Sequence, residues 1–467
     1  MQKRAPVIAV FDIGKTNKKL LVFNEQYHVL KEEVIVFDEI EDDDGFSCED
    51  IEALSSWMLM QFEQLKCSSE FQLKAVNFST YGASLVHVDV AGKRIGHLYN
   101  YLKSYPEPLI EEFLAARGGL SFFSESTSSP IMGHLNAGLQ LYWLKKIKPG
   151  IFDRVATSLH LPQYLSFLIS GKRQAEMTSL GCHSAMWSFA DRNYHSWLEQ
   201  EGIRVKLAPV TKGDTGLRVV NEQQGDTIIV GTGLHDSSAA IIPYLNSFKE
   251  PFIILSTGTW VISLNPFNNQ LPTAEELEKG CLSYLTYQGN PVKTTMLFAG
   301  NDYSQQVKRI AMHFNIAEDC LNQMEYNASV IEKLKNKNQF IQGKNHNDNL
   351  INATISCAFH LRDLSFFDDA EEAYHQLLLD MMVQQASSTN MVLKNSRIAN
   401  VYVDGGFCRN KIYMQLLANT FSDKTVFATS MAQGTALGAA LALHYAWNSQ
   451  PLPSNLVTLK EWMPTPG

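Results

Sequence analysis

The sequence has no excess of positive charge and no closely spaced pair of cysteines. Its 467 residues include 39 lysines and arginines against 48 aspartates and glutamates, which gives a net charge of −9. Because a surface that binds nucleic acid is normally basic, this balance argues against a nucleic-acid partner. The seven cysteines are scattered and form no CxxC pair. This pattern predicts reduced thiols in a cytosol, and it argues against a disulfide framework and against a zinc site.

Long apolar runs are also missing. The apolar run that begins at Pro6 is short and is interrupted by Asp12, so it does not predict a secretory signal. No stretch approaches the roughly 18 uncharged apolar residues that a membrane-spanning helix needs. We therefore expect a cytoplasmic protein with no membrane partner. The acidic run 38–46, DEIEDDDGF, is expected to form a solvated loop because neighbouring like charges resist burial.

Two familiar nucleotide-binding signatures do not occur. The chain contains no GxxxxGK[ST] phosphate loop, and it contains neither the HRD nor the DFG sequence of protein kinases. Any nucleotide must therefore be held by other glycine turns.

Predicted strands and helices alternate along the chain. The apolar spacing of 50–65 predicts a helix, 73–82 reads as a strand, and 156–171 reads as a strand followed by a helix that ends at Gly171. Such alternation predicts the α/β class with sheets that are at least partly parallel.

Two stretches far apart in the chain share one pattern. Residues 9–23 and 251–266 each read as an apolar strand, a glycine turn and a second apolar strand. Coincidence is possible because hairpins are common, but their positions near the starts of the two chain halves favour two similarly built domains. We expect these domains at 1–246 and 247–467, with a hinge near 244–252.

The tip of the first hairpin is more polar than a turn requires. A tight turn needs little more than Gly14 and one or two polar residues. This tip instead carries a carboxylate, three amino groups and two further polar side chains, which belong to Asp12, Lys15, Thr16, Asn17, Lys18 and Lys19. Such a set indicates a binding site for an anion that is bound together with a metal ion.

Asp236 follows a strand that ends in the sequence GTG. One interpretation makes it the N-cap of the small-residue helix that begins with Ser-Ser-Ala-Ala. The other makes it a carboxylate at the ligand-binding end of an α/β sheet, where it could accept a hydroxyl proton during phosphoryl transfer. His235 and Asp236 also resemble the start of a metal-binding HD pair, but no other spaced ligands support that reading.

Two glycine features occur near the end of the chain. Gly405 and Gly406 follow a predicted strand, and backbone without a Cβ can lie against a purine or a phosphate. Gly438 and the alanines around it are expected to allow close packing of helices.

Four motifs in order, FDIGKTN, GLHDSSAA, LSTGTW and VDGGFCRNKIYMQLLANTF followed by GTALGAAL, resemble the FGGY family of carbohydrate kinases. The resemblance runs from about Val7 to Trp447. It implies two actin-like (ribonuclease H-like) domains around a cleft. It also implies transfer of the γ-phosphate of ATP to a sugar hydroxyl with Mg²⁺.

The resemblance assigns roles to individual residues. Asp12 would lie near the metal, Asp236 would be the catalytic base, and Gln305 could touch the nucleotide. The remaining nucleotide contacts would come from the two hairpin turns and the late glycine pair, namely Gly14, Lys15, Thr16, Asn17, Lys18, Lys19, Gly258, Thr259, Gly405 and Gly406. The sugar would contact Asp236 together with Tyr81, Gly82, His235 and Ser237.

Within the family, the histidine before Asp236 and the sequence STGTW resemble the rhamnulokinase and fuculokinase branch. The expected substrate is therefore a small ketose such as L-rhamnulose, L-fuculose or a pentulose. Two departures occur: LYNYLKSYPEP (98–108) replaces a charged pair that many members have, and Gln433 stands where glutamate is often found.

Two alternatives belong to other classes of protein. An actin-like ATPase would share both phosphate turns but would not need a base at Asp236. An inactive sugar-binding protein of the same fold should have lost the base or a turn, and neither loss is seen. For the kinase we expect sugar and ATP as small-molecule partners, and a monomer or a homodimer.

Overall fold

The structure is a computed structural model that describes residues 4–221, 225–341, 357–431 and 433–465, with side chains described up to 337 in the second of these ranges. The chain divides into two compact units. The first contains Met1–Phe248, Ser283–Pro291 and Ala432–Leu456, and the second contains Lys249–Leu282, Val292–Met431 and Val457–Gly467. Each unit is thus assembled from separate stretches of chain. The assignment of functional domains to 1–246 and 247–467 stays a prediction.

The sheet of the first unit is built around the opening strand. Ala5–Ile13 pairs antiparallel with Lys18–Asn24 and parallel with Phe71–Thr80. Its apolar residues from Val7 to Phe11 are buried because it is a central strand covered on both faces. From one edge to the other, the order is Val29–Ile35, Lys18–Asn24, Ala5–Ile13, Phe71–Thr80, Asp226–Gly231 and Gly216–Asn221, with Leu234–His235 also pairing with Phe71–Thr80.

The second sheet repeats this arrangement. Phe252–Thr257 pairs antiparallel with Val261–Asn265 and parallel with Asn400–Gly405. The order is Cys281–Leu285, Pro291–Leu297, Val261–Asn265, Phe252–Thr257, Asn400–Gly405, Thr425–Ser430 and Thr458–Trp462.

The two sheets share strand directions as well as order. In each, an antiparallel three-strand meander is followed by two parallel pairings and then by an antiparallel edge strand. The prediction of two similarly built halves, each with a glycine-turn hairpin, is therefore confirmed at the level of sheet topology. This is the α/β, actin-like class that the sequence predicted.

Helices cover these sheets, and several match their predicted positions. The helix expected at 50–65 is Ile51–Lys66, which begins at the N-cap Asp50. The helix expected to end at Gly171 is Leu161–Ser170. The other α-helices of the described residues are Glu107–Ala115, Leu120–Thr127, Ala137–Ile147, Pro149–Phe152, Met177–Leu180, Trp197–Gln200, Asp236–Ser247, Ala274–Glu278, Ala299–Phe314, Glu318–Asn322, Ala328–Ile341, Ala370–Leu393, Lys411–Thr420, Gly434–Ala442 and His444–Trp447.

Short 3₁₀ turns and strands make up the rest of the regular structure in the ranges that the structure describes. The 3₁₀ turns are Gly133–Leu135, Arg204–Lys206, Ala358–Leu361, Leu364–Phe366 and Gly406–Arg409. The short strands are Ile40–Glu41, Ser47–Cys48, Leu85–Val88, Arg94–Ile95, Thr157–His160, Ala175–Glu176, Trp187–Ser188, Asn193–Tyr194 and Val210–Thr211. In the part of the chain that the structure describes, no helix combines the length and apolar character needed to cross a membrane.

The acidic segment 38–46 is mostly exposed, as expected, but it contains one buried carboxylate. The side chain of Asp42 is buried, and its carboxylate pairs with Lys103 at 2.6 Å. Lys148 pairs with Asp43 at 2.6 Å and with Asp44 at 2.7 Å. Residues 38–41 and 43–45 are exposed, so the expected solvated loop is confirmed for most of the run, and buried Asp42 is the exception.

Gly438 lies where two helices of the first unit pack closely. A Cβ atom at this position would lie 1.9 Å from the carbonyl oxygen of Ala239, in the helix Asp236–Ser247. Because that neighbour is backbone, it cannot move aside as a side chain could. The predicted packing role of Gly438 is confirmed.

We expect Gly438→Ala to lower the free energy of unfolding by about 1–3 kcal/mol, the usual range for overpacking a tight interior. Gly150→Ala is the matched control, because a Cβ there meets nothing within 4 Å and its helix favours alanine over glycine. Denaturant unfolding of both variants measures the difference. Equal stabilities of the two variants would contradict the packing role.

Candidate active site

Two carboxylates lie beside the same strand end in the first unit. Asp12 is opposite Ser79 in the parallel pairing of Ala5–Ile13 with Phe71–Thr80. Leu234 is opposite the same Ser79 on the other side of that strand, and Asp236 follows two residues later. The sheet register therefore brings Asp12 and Asp236 to the carboxyl end of one strand, where open α/β sheets bind ligands.

The surroundings of Asp12 raise the pKa of its carboxyl group. Burial raises the pKa of Asp12 to about 6, and the charge of Asp236 raises this pKa as well. Three groups lower this pKa: Thr435 donates a hydrogen bond of 2.8 Å to Asp12 Oδ2, Lys19 is a nearby positive charge, and the Ser79 side chain acts in the same direction. An acid with this pKa can hold a metal ion near neutral pH.

Asp236 is the first residue of the helix Asp236–Ser247. His235 occupies the N-cap position and makes no side-chain cap, so the interpretation of Asp236 as the N-cap was wrong by one residue. The carboxylate instead accepts hydrogen bonds from Ser237, at 2.6 Å from the backbone N–H and 3.2 Å from the hydroxyl. Its side chain keeps one third of its surface exposed. Burial of the rest raises the pKa of Asp236 to about 6, a value suited to a base that works near neutral pH.

The lysines at the hairpin tip have different partners. Lys18 is buried and pairs with Glu49 at 2.7 Å, so its charge is neutralised within the fold. Lys15 pairs with Glu39. Lys19 donates a 2.8 Å hydrogen bond to Oε1 of Gln433, which lies next to the helix that carries Thr435.

The turn itself leaves its tip open. The Gly14 N–H donates to the Asn17 carbonyl oxygen at 3.0 Å, which closes the turn. Thr16 and Asn17 are exposed at the tip. The side chains of Thr16 and Asn17 are therefore accessible to a ligand.

Of the residues predicted to contact a sugar, His235 and Ser237 contact Asp236, and Gly82 lies against His235. His235 is buried, and its Nε2 lies 3.3 Å from Asp236 Oδ1. A Cβ at Gly82 would lie 3.0 Å from that same Nε2, which accounts for the glycine. Tyr81 is buried and donates a 3.0 Å hydrogen bond to Glu49 Oε2. Tyr81 and Lys18 thus share Glu49, which links the predicted sugar side to the first hairpin.

One supporting group was missed by the sequence interpretation. Glu176 is fully buried and accepts hydrogen bonds from the Thr178 hydroxyl at 2.6 Å and from two backbone N–H groups, of Thr178 and Ser179. The Thr178 oxygen in turn accepts the His235 N–H at 2.9 Å. Burial raises the pKa of Glu176 to about 8. The sequence EMTS (176–179) predicts only the start of a helix. It does not indicate that the Glu176 side chain, through Thr178, fixes the backbone next to the base.

A separate cavity of about 500 Å³ lies within the second unit. Its lining contains the glycine turn of the second hairpin, the first turns of the helix Ala299–Phe314 and the segment that precedes Lys411–Thr420. The lining residues are Thr257, Gly258, Thr259, Gly300, Asn301, Tyr303, Ser304, Asn322, Gly406, Phe407, Arg409 and Asn410.

Close backbone contacts shape this cavity. A Cβ at Gly300 would lie 1.9 Å from the Gly258 carbonyl oxygen, and one at Gly405 would lie 2.1 Å from the Thr257 carbonyl oxygen. Gly405 also has φ +91°, which L-residues rarely adopt. Gly405 therefore supports the wall of the cavity.

The structure places the predicted nucleotide residues unequally. Gly258, Thr259 and Gly406 line the cavity, whereas Gly405 and Gln305 do not. Gln305 instead borders a surface depression with Lys308 and Arg309. Each residue of a helix is turned by about 100° from the one before it. The cavity is therefore lined by the residues at positions 300, 301, 303 and 304, and Gln305 lies on another face of the helix.

Two domains of one family match the sequence. The N-terminal domain of the FGGY family of carbohydrate kinases matches residues 7–242, and the C-terminal domain of the same family matches residues 372–447. The chain belongs to the FGGY family of carbohydrate kinases. The resemblance found in the sequence motifs is thereby confirmed, and this FGGY protein is a sugar kinase.

Individual relatives are distant. A rhamnulokinase of Oceanobacillus iheyensis is 24% identical over 441 residues, which cover 91% of this chain and 90% of that protein. A carbohydrate kinase structure from Novosphingobium aromaticivorans has a TM-score of 0.74 at 21% identity and covers 98% of this chain and 96% of that one. A ligand-bound xylulose kinase from Lactobacillus acidophilus has a TM-score of 0.77 at 13% identity and covers 98% and 94%. At these identities the structural matches establish the fold of the FGGY kinase.

Proposed function

We propose that this FGGY kinase uses ATP and Mg²⁺ to phosphorylate a hydroxyl of a small ketose, with Asp236 as the general base. The observation that carries the proposal is the coupled pair of carboxylates at one strand end, of which Asp236 has a pKa of about 6. The cavity of the second unit has the volume of a typical small-ligand site, and we assign it to the nucleotide.

The proposed reaction moves one proton and one phosphoryl group. Asp236 accepts the proton of the sugar hydroxyl while that oxygen forms a bond to the γ-phosphorus of ATP. The bond from the γ-phosphorus to the oxygen bridging it to the β-phosphorus breaks, and ADP leaves with that oxygen. The hydrogen bonds from Ser237 hold the Asp236 carboxylate in one orientation during this transfer.

The donor atoms at this strand end suit Mg²⁺, which prefers carboxylate and phosphate oxygens. Asp12 would hold the ion together with the phosphates of ATP, and the ion would neutralise charge on those phosphates. The exposed turn of Thr16 and Asn17 and the amino group of Lys19 would bind the phosphates. Lys18 contributes through its ion pair with Glu49, which fixes the turn.

A ketose is the substrate class that we favour. The related rhamnulokinase and xylulose kinase are named for ketoses. In this chain His235 and Gly82 lie beside the base, and Tyr81 and Ser237 flank them in sequence. We propose that these residues bind sugar hydroxyls, with the substrate among L-rhamnulose, L-fuculose and the pentuloses. The free cysteines are consistent with the proposed cytosolic location.

An actin-like ATPase and a sugar kinase differ in whether a sugar increases the rate of ADP release. We would measure ADP production from Mg·ATP alone and after adding each of L-rhamnulose, L-fuculose, L-ribulose, D-ribulose, D-xylulose, D-fructose and glycerol. A rate that rises manyfold with one or two of these compounds supports the kinase. A rate that is substantial without sugar and does not respond to any of them supports the ATPase.

The proposed base makes the rate depend on pH. Asp236 must be ionised to accept a proton, so kcat/KM for the sugar should rise with pH through about 6 and then level off. The same ionisation of Asp236 should make kcat rise with pH. A pH profile of both constants measures this. A kcat/KM that does not change between pH 5 and pH 8 would contradict it.

Gly406 allows a test of the nucleotide cavity. A Cβ there would approach the protein only at the Thr257 carbonyl oxygen, at 3.6 Å, so Gly406→Val should fold normally while filling part of the cavity. We expect KM for ATP to rise about tenfold or more, which corresponds to a binding loss of ~1.4 kcal/mol. KM for the sugar should change little. Steady-state kinetics with each substrate varied in turn measures both KM values. An unchanged KM for ATP would contradict the assignment of this cavity to the nucleotide.

A further inference from the structure

A cysteine and two histidines converge next to Asp236. The possible ligand atoms of Cys182, His183 and His235 all lie within 4.8 Å of one another, and the three residues are buried. Cys182 and His183 follow the helix Met177–Leu180, whereas His235 comes from the short strand Leu234–His235. The sequence had argued against a zinc site because its cysteines are scattered and form no CxxC pair. Folding brings Cys182 and His183 together with His235, about fifty positions later in the chain.

We propose that Cys182, His183 and His235 form a binding site for a thiophilic divalent cation of the Zn²⁺ class. Thiolate and imidazole donors favour Zn²⁺ over Mg²⁺, which favours oxygen donors. The site is therefore chemically separate from the magnesium site assigned to Asp12.

His183 and His235 are in the neutral form that can bind a metal ion. Burial lowers the pKa of His183 to about 4 and that of His235 to about 3, so both rings are neutral near pH 7. His183 Nδ1 lies 2.8 Å from the carbonyl oxygen of Leu135, so that nitrogen carries the proton and Nε2 is left as an acceptor. A metal-binding histidine typically has such a second-shell contact. His235 Nδ1 has no hydrogen-bond partner within the described residues, although it is buried.

The backbone around His183 is held in an unusual conformation. His183 has φ +24°, and Ala185 nearby has φ +58°, which non-glycine residues rarely adopt. Strain of this kind persists where the surrounding structure imposes it, often at ligand sites. Here the contact with Leu135 fixes the ring of His183 toward the ring of His235, with centroids 5.9 Å apart.

A small cavity adjoins the cluster. Cys182 and His235 line it together with His160 and Ser179. His160 Nε2 and Ser179 Oγ are buried, and neither has a hydrogen-bond partner within the described residues. Unpartnered polar atoms around an enclosed space indicate a bound species that is polar or charged.

Binding would exchange a proton for the metal. The Cys182 thiol donates to the Ser179 carbonyl oxygen at 3.2 Å, and burial raises the pKa of this thiol well above its usual range. When the sulfur bonds to the cation, the S–H bond breaks and the proton passes to buffer. One proton is therefore released for each metal bound through this thiol.

The cation would inhibit the kinase. His235 Nε2 lies 3.3 Å from Asp236 Oδ1, so a positive ion on His235 would attract the carboxylate that must accept the sugar proton. This consequence rests on the proposed function, whereas metal binding itself does not. We expect Zn²⁺ to inhibit in competition with the sugar and not with ATP.

Co²⁺ provides a direct probe because a cobalt–thiolate bond produces a near-ultraviolet charge-transfer absorption. We would titrate the metal-free full-length chain with Co²⁺ and follow this band, then displace Co²⁺ with Zn²⁺. We expect one thiolate-bound Co²⁺ per chain. Cys182→Ser, whose hydroxyl can still donate to Ser179, should abolish the band and weaken Zn²⁺ binding about 100-fold or more. Cys320→Ser, at an exposed cysteine outside the cluster, should leave both unchanged.

A second variant guards against misfolding of the first. His183→Asn tolerates a left-handed backbone and can still donate to the Leu135 carbonyl oxygen, but it lacks the Nε2 lone pair. It should keep a thiolate band of altered shape and bind Zn²⁺ more weakly. Absence of the band in the parent chain, or a band unchanged in Cys182→Ser, would overturn the proposal. Because absorption and not turnover is measured, a chain without sugar kinase activity would still give a decisive answer.

Discussion

Asp236→Asn should fold, bind ATP and lose turnover by about 10²–10⁴-fold, the usual contribution of general-base catalysis. The asparagine oxygen can still accept the hydrogen bonds from the Ser237 N–H and hydroxyl, so the start of the helix Asp236–Ser247 should persist. The amide cannot accept a proton, however. We expect a melting temperature within a few degrees of the parent and a dissociation constant for ATP that is nearly unchanged.

Asp50→Asn is the matched control for this variant. Asp50 is a true N-cap whose side chain accepts from the N–H groups of Glu52 and Ala53, and it has no assigned role in the reaction. If Asp236 served only the helix, the two variants would behave alike, with small changes in stability and normal turnover. Retention of turnover within a few-fold in Asp236→Asn would refute the assignment of Asp236 as base.

Asp12→Asn should reduce turnover by about 10²–10³-fold while making the ligand-free protein more stable near pH 8. The loss follows because the variant removes the carboxylate assigned to Mg²⁺, and groups that neutralise phosphate charge in a transition state contribute effects of this size. The gain in stability follows because burial disfavours the ionised form of Asp12 and because the charge of Asp236 repels it. Thr435 can still donate to the asparagine oxygen.

The stability effect should depend on pH in a defined direction. The pKa of Asp12 is raised in the folded state to about 6 from its usual value near 4, so its contribution to stability is fully present in acid and is lost as pH rises through about 6. Asn does not titrate. The melting temperature of Asp12→Asn minus that of the parent should therefore be larger at pH 8 than at pH 5, measured without Mg²⁺ and nucleotide. A difference that is the same at both pH values would show that burial and repulsion do not act on Asp12 as described.

The sequence predicted the features of this chain that depend on local pattern. The two hairpins were found because an apolar strand, a glycine turn and an apolar strand leave a signal within fifteen residues. Gly438 was assigned to helix packing because small residues repeat around it, and a Cβ there would meet the backbone of Ala239. Ile51–Lys66 was predicted nearly to the residue because its cap and apolar spacing lie in one window.

The features that the sequence missed depend on residues far apart in the chain. Thr435 donates to Asp12 across 423 positions, and Lys103 neutralises Asp42 across 61, so neither contact can be inferred from spacing. Gln305 lies outside the cavity of the second unit for a reason that the sequence pattern does not show. The helix Ala299–Phe314 was identified correctly, but which of its faces lines the cavity is fixed by the contact of Gly300 with the turn at Gly258.

The destination of the γ-phosphate tests the central claim most directly. The chain would be incubated with Mg·ATP and the sugar that most increases ADP release, and the products would be followed by phosphorus NMR, with Asp236→Asn as the negative control. We predict a phosphate-monoester signal coupled to sugar protons, growing in equal amount with ADP and absent when sugar or Mg²⁺ is omitted. Inorganic phosphate as the main product, at a rate that does not depend on the sugar, would contradict the assignment of this chain as a ketose kinase with Asp236 as its base.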